Sequence, residues 1–248
     1  MFPIARALAT LAALAAVAGC GSADESDPLL VLAASSLTDT FDTVERAFEQ
    51  TNPDIDVEVS VAGSSALSVQ VEQGAPADVV ALAALEPMDA LADAGLVDAP
   101  VRFATNSMVL AVPVDNPGQV EGIEALADPA LLIGVCASQV PCGGYAREVL
   151  DAAGVDASLD TEEPDVRSLA GKIAAGELDA GLVYATDVRA MPDRLTTIPL
   201  PDGVDVRAEY QIAVVSATGD PERARRFVAF VRSPEGQAIL ADAGFGEG

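Results

Sequence analysis

Histidine is missing from all 248 residues, and tryptophan with it. The first absence removes the commonest general base and the commonest side-chain metal ligand together. A serine nucleophile at Ser36 or Ser64 would have no such base, and Lys172, the sole lysine, stands in no Ser-x-x-Lys arrangement. The sequence therefore reads as a protein that is not an enzyme. Basic residues are nearly as scarce: 13 Lys and Arg stand against 39 Asp and Glu, for a formal net charge of −26. A nucleic-acid backbone needs a cationic patch that displaces its counterions, so nucleic acid is excluded as a partner. The same imbalance excludes a surface held to anionic lipid by charge. Aromatics make up only 4% of a chain that is 50% hydrophobic. Ala, Val and Leu supply most of the rest, which suits alternating strands and helices rather than a disordered or disulfide-stapled chain.

Cysteine is rare too, with three in all. Cys20 closes an N-terminal stretch in which Arg6 gives a positive start and Ala7 to Val17 form an apolar run too short to span a bilayer. The run ends in Val17-Ala18-Gly19-Cys20, which resembles the bacterial lipobox, whose cysteine is acylated before cleavage. Residues 1–19 then read as a signal peptide and 20–27 as the lipidated N-terminus and acidic tether, GSADESD following the cysteine. An ordinary secretory signal ending by chance at a cysteine is the alternative. Either reading places the mature chain outside the cytoplasm, anchored to the membrane through a lipid on Cys20 in the first case. The other two, Cys136 and Cys142, lie in VCASQVPCGGY. An oxidising compartment makes a disulfide the expectation, with two buried free thiols as the alternative. Closing so short a loop contributes roughly 2 kcal/mol in the chain-entropy model, so its main effect would be local rigidity.

Strands and helices alternate along the remainder. Leu29 to Ala34 is a continuous apolar run, as in a strand buried on both faces. Ser35-Ser36 follow as the expected N-cap of a helix carrying Leu37, Phe41, Val44 and Phe48 on one face. Strands at Asp56–Val61 and Val79–Ala83, with helices after each, complete a β-α-β-α-β-α unit and predict a parallel sheet. Further strands are expected at Met108–Pro113, Leu132–Val135, Ala180–Tyr184 and Tyr210–Val215. Helices are expected at Gly144–Ala153, Val166–Ala175, Pro221–Val231 and Pro234–Ala243. The order fits a second α/β lobe inserted into a first.

Hydroxyl-bearing turns open helices at Ser35-Ser36 and Ser64-Ser65, and two later helices start at Gly143-Gly144 and Asp165-Val166. Helix N-termini expose unpaired amides and a partial positive charge, so several converging ones can hold an anion without any cation. One such turn alone says little, because unliganded serine caps are common.

The segments AASSLTDTFDTVERAFEQ, AGSSALSVQVEQGAPADVVALA, VPCGGYA, EPDVRSLAGKIAAGELDAGLVYATD and AEYQIAVV together resemble the extracytoplasmic molybdate-binding proteins of ABC importers, in order from Leu29 to Phe245. The resemblance implies an α/β, two-lobed periplasmic-binding-protein fold of type II. Each lobe would be a mostly parallel sheet flanked by helices, with the ligand in the cleft. Residues 28–106 plus 208–248 would form lobe 1, and 107–207 lobe 2. It further implies high-affinity capture of molybdate, and tungstate with it, and delivery of the anion to a membrane permease; a monomer is the default expectation. Sulfate or phosphate is the alternative oxyanion.

The implied ligand set falls on Ser36 (hydroxyl and amide), Ser64, the amides of Cys142 and Val166, and the Tyr184 hydroxyl. The family usually has Ala where Cys142 stands, a change that a main-chain donor tolerates. No cofactor is implied, and molybdenum would be present only inside the oxyanion, without a direct protein ligand. Arg167 reads as a surface guanidinium paired with a carboxylate, and Asp78 and Asp187 as turn or cap residues. Glu162, Glu163 and Asp165 read as a solvated acidic loop rather than a cation site. If Cys136 and Cys142 are joined, the bond would brace the loop that offers the Cys142 amide.

Overall fold

A computed structural model describes residues 27–248, so Cys20 and the signal segment lie outside the described residues. The first unit is β1 (Leu29–Ala34), a 3-10 turn (Ser35–Leu37), α1 (Thr38–Thr51), β2 (Val57–Ala62), α2 (Ser64–Glu72), β3 (Val79–Leu82) and α3 (Leu85–Asp93). β1 lies between β2 and β3 and runs parallel to both. Its unbroken apolar run is explained by two cores. Val31 and Ala33 join Phe41, Val44 and Phe48 of α1 on one face, whereas Leu32 joins Leu67, Val71, Met88 and Leu91 of α2 and α3 on the other.

β4 (Val101–Pro113) comes next, then β5 (Ile133–Cys136), α4 (Pro141–Ala153), β6 (Thr161–Glu163), α5 (Val166–Ala174), β7 (Ala180–Tyr184) and α6 (Ala185–Ala190). The chain closes with β8 (Leu195–Ile198), β9 (Arg207–Val214), α7 (Pro221–Val231), α8 (Pro234–Ala243) and β10 (Gly246–Glu247). The strand order is β2-β1-β3-β9-β4-β7-β5-β6, with β8 and β10 also pairing β4. β4 changes partner midway. Its residues Val101–Ser107 run antiparallel to β9, and Met108–Pro113 run antiparallel to β7 and β8. β4 and β9 thus join two parallel trios, β2-β1-β3 and β6-β5-β7. The last helices return to the first trio, where the Phe227 ring meets Phe48 edge-on at 5.2 Å and Phe41 at 6.2 Å.

Several boundaries differ from the sequence expectation. β4 starts at Val101 instead of Met108, because the polar Arg102, Thr105, Asn106 and Ser107 mask the strand. α4 opens at Pro141-Cys142 rather than at the glycines, with the Pro ring placed where no amide is needed. The serines do not cap their helices: neither the turn at Ser35 nor α2 has a side-chain cap hydrogen bond. The hydroxyls of Ser36, Ser64 and Ser65 are engaged elsewhere. The acidic loop is not a solvated loop either. Glu163 is buried in β6 and accepts from Lys172 Nζ at 2.6 Å and Thr161 Oγ1 at 2.7 Å. Glu162 pairs with Arg147, and Asp165 caps α5.

Candidate functional site

Each of the five candidate residues sits where a strand gives way to a helix or turn. Ser36 lies in the 3-10 turn after β1, Ser64 begins α2, Cys142 is the second residue of α4, Val166 begins α5, and Tyr184 ends β7. The first amides of such turns have no intrahelical acceptor. All five line one space of about 230 Å³ between atoms, counting the part open to solvent, together with Gly63, Ala83, Pro141 and Asp165 among others. The sequence places these residues up to 148 positions apart (36 to 184); the sheet order brings them to one cleft.

Two contacts show how tightly the donors are set. A Cβ on Gly143 would lie 1.9 Å from the Ala137 carbonyl oxygen, so only glycine lets the first turn of α4 pack on the preceding loop. That loop is closed by a Cys136–Cys142 disulfide, the Cα atoms 5.6 Å apart. Across the cleft, a Cβ on Gly63 would lie 3.0 Å from the Pro164 carbonyl oxygen, and Ser65 Oγ donates to the Gln139 carbonyl at 2.7 Å.

The serine hydroxyls are held from behind. Ser64 Oγ accepts the Ala83 N–H at 3.0 Å, which leaves its proton free to turn into the space. Ser36 Oγ lies 2.8 Å from Tyr210 Oη. The Tyr184 hydroxyl differs from both. Its residue is 1% exposed, and the oxygen has no hydrogen-bond partner among the described residues. Burial, reinforced by Tyr210, Tyr145 and Asp187, holds its pKa well above the usual phenol value, so the group keeps its proton and can donate. A buried hydroxyl without a partner costs free energy, and a ligand oxygen in the lined space would remove that cost.

A larger space of about 860 Å³ on the same measure adjoins through Ser36 and runs between α1, α5, α6 and α8. Its lining mixes the carboxylates Asp39, Asp187 and Asp242 with the guanidinium groups of Arg167 and Arg189. Arg167 is engaged by Asp39 through both guanidinium nitrogens, Nη2 to Oδ1 at 3.1 Å, and does not line the smaller space. Asp187 accepts the Tyr184 N–H at 3.0 Å, and its pKa is pushed up to about 7, chiefly by burial. Asp78 accepts the Leu30 N–H at 2.8 Å and a hydroxyl from Thr218, away from the cleft donors.

Sequence reasoning passed over Tyr210, Asn106 and Thr186, which stand behind Ser36. A signal was available: Tyr210 is one of only three tyrosines, and Asn106 is a polar residue in what proves to be a buried strand.

A family model of bacterial extracellular solute-binding proteins matches residues 29–246. Over 218 residues the chain is 38% identical to the molybdate-binding protein ModA of Mycobacterium tuberculosis, covering 88% of this chain and 84% of the relative. A sulfate-binding protein of Synechocystis is 26% identical over 262 residues, 90% of this chain and 74% of that protein. Among solved structures, the periplasmic molybdate-binding protein of Azotobacter vinelandii matches with a TM-score of 0.78 at 21% identity, covering 88% of this chain and 98% of that one, a likeness of fold.

Proposed function

The chain belongs to the bacterial extracellular solute-binding proteins, and we propose that it captures molybdate, and tungstate with it, for delivery to the permease of an ABC importer. It is a binding protein and not an enzyme, with the two-lobed, type II periplasmic-binding-protein fold of its relatives. The observation that carries the ligand class is the Tyr184 hydroxyl, buried without a partner among the described residues beside two serine hydroxyls and two helix N-termini. The donors are Ser36, Ser64, Cys142, Val166 and Tyr184.

All five are uncharged hydrogen-bond donors, and this matches the anion. Molybdate and tungstate are tetrahedral dianions at neutral pH and have no proton to give, so every contact must come from the protein. Hydrogen bonds to a charged partner contribute roughly 1.5–3 kcal/mol each. A space set for the larger tetrahedron would leave sulfate with long contacts. Sulfate is the less favoured ligand on kinship too, since the sulfate-binding relative is 26% identical and the molybdate-binding one 38%.

The pairing of β4 supports a division into two lobes. The change of partner after Ser107 and the return of β9 at Arg207 support a first lobe of residues 28–106 plus 208–248 and a second of 107–207. The proposed anchor is a lipid on Cys20, supported by the apolar run that stops at that residue.

Titration calorimetry of the mature chain with molybdate, tungstate, sulfate and phosphate tests the ligand. Tight binding of the first two and weak or no binding of the others is expected. A response confined to sulfate or phosphate would overturn the assignment.

A further inference from the structure

The two serine hydroxyls of the cleft are oriented by different means. Ser64 Oγ accepts from a main-chain N–H, that of Ala83, which can only donate. One lone pair of Ser64 is thereby taken, and its proton is free to point toward the anion. Ser36 Oγ has Tyr210 Oη behind it at 2.8 Å, and a hydroxyl pair can run in either sense. What lies behind Tyr210 decides the sense. Asn106 Nδ2 donates to Tyr210 Oη at 3.4 Å and to Thr186 Oγ1 at 2.8 Å, and an amide nitrogen can only donate. With Asn106 Nδ2 at its oxygen, Tyr210 has Ser36 Oγ as the acceptor for its own proton, which leaves the Ser36 proton for the cleft; Asn106 Oδ1, buried with no partner among the described residues, is the cost of this arrangement.

The relay is built into rigid parts of the molecule. Tyr210 is 0% exposed on β9, and Asn106 is 3% exposed on β4, the two strands that join the trios. The Tyr210 ring is clamped edge-on by Phe245 at 5.3 Å, Phe103 at 6.1 Å and Tyr184 at 6.2 Å. Burial pushes the Tyr210 phenol well above its usual pKa, so its proton is not lost.

We propose that Tyr210, backed by Asn106, is a positioning and specificity-determining residue that commits the Ser36 hydroxyl to donate, and so biases the cleft against oxyanions that carry a proton. This rests on the proposed binding of an unprotonated oxyanion. A hydrogen phosphate would bring its own O–H against the Ser36 proton, whereas sulfate, of similar size, brings only acceptors. Freed from Tyr210, the Ser36 hydroxyl can rotate and accept.

The test is Tyr210→Phe, which keeps the ring and its three aromatic contacts, with Asn106→Leu as a second variant acting on the same relay. Molybdate affinity is measured by calorimetry at pH 7, and sulfate and phosphate affinities by displacement of molybdate. The ratio of sulfate to phosphate affinity is the decisive reading, since general loosening of the cleft weakens both anions alike. Molybdate binding should weaken about tenfold on loss of one hydrogen bond that orients a donor. The sulfate-to-phosphate ratio should fall by a similar factor in Tyr210→Phe and in the same direction in Asn106→Leu. A ratio unmoved in both variants, whatever happens to molybdate, would overturn the proposal. A wild-type protein that binds none of these anions would instead overturn the proposed function, so the two failures are distinct.

Discussion

Replacing Tyr184 by Phe should move ligand affinity and ligand-free stability in opposite directions. The ring is 1% exposed and packs against Tyr210 at 6.2 Å, a contact that Phe preserves. Only the hydroxyl is lost, and that hydroxyl has no partner in the protein among the described residues. On the binding side the variant forfeits a hydrogen bond to a charged ligand, roughly 1.5–3 kcal/mol, or about 10- to 150-fold in Kd. On the folding side it removes a buried, unpaired polar group, which carries a penalty of about 1–3 kcal/mol in the closed arrangement. For a chain of this size that corresponds to a rise of about 2 °C or more in the ligand-free Tm. Calorimetry with molybdate and thermal unfolding with and without it give both numbers. Wild-type affinity in the variant would refute the reasoning, because the hydroxyl would then not touch the anion. A ligand-free Tm below wild type would refute it as well, since the hydroxyl would then have a structural partner.

Three further outcomes are expected. Asp187, whose pKa is raised from 3.8 to about 7 mainly by burial, holds a proton in the folded chain that the unfolded chain releases. Its contribution to stability is full below about pH 4 and is lost as pH rises through 7, up to about 4 kcal/mol. Molybdate affinity should also decline above pH 7 as the carboxylate beside Tyr184 ionises, and Asp187→Asn should flatten both profiles. Gly63→Ala should weaken binding about fivefold or more by pressing a methyl on the Pro164 carbonyl, an overpacking cost of about 1 kcal/mol confined to the closed cleft. Unchanged affinity would show that the cleft closes differently. Replacing Cys136 and Cys142 together by Ser should lower stability by roughly 2 kcal/mol and weaken molybdate binding by adding an ordering cost to the loop. Affinity equal to wild type would mean that the bond braces the loop without preorganising it.

Elements with one dominant period were legible from sequence. β1, β3 and β7 read as unbroken apolar runs because both faces are covered, and α1 and α7 read as stripes because only one is. The half of β4 from Val101 to Ser107 was not legible, because Asn106 is buried by partners from α6 and β9 that no local pattern reveals. The short β6, α6, β8 and β10 escaped for a related reason: each is six residues or fewer and depends on its neighbours for its conformation. At the site, the residue types and their helix-start positions were visible, but the expected role of the serines as caps was not the one they have. A hydroxyl at a helix start can bond to its own helix or reach behind itself. Ala83 and Tyr210, distant in sequence, offered Ser64 and Ser36 the second choice.

A chain with a net charge of −26 that holds a dianion must keep its own charges from opposing the ligand. Distance disposes of most of them, because exposed carboxylates beyond about 8–10 Å are largely screened at physiological salt. Those lining the two adjoining spaces need other means, and each has its own. Asp39 is held by Arg167, which spends its guanidinium on cancelling a carboxylate rather than on the anion. Both side chains of that pair are 41% or more exposed, so its direct contribution to stability is about 1 kcal/mol at most. Asp165 accepts the Ser168 N–H and Oγ–H at 2.9 Å, placing its charge on the N-terminus of α5. Asp187 takes up a proton near neutrality, and Asp242 faces water. With these charges cancelled, capped, protonated or screened, the affinity is left to the proposed neutral donors. A lysine or arginine at the cleft would bind any small anion, whereas N–H and O–H groups of fixed direction bind only one whose oxygens meet them without protons of their own.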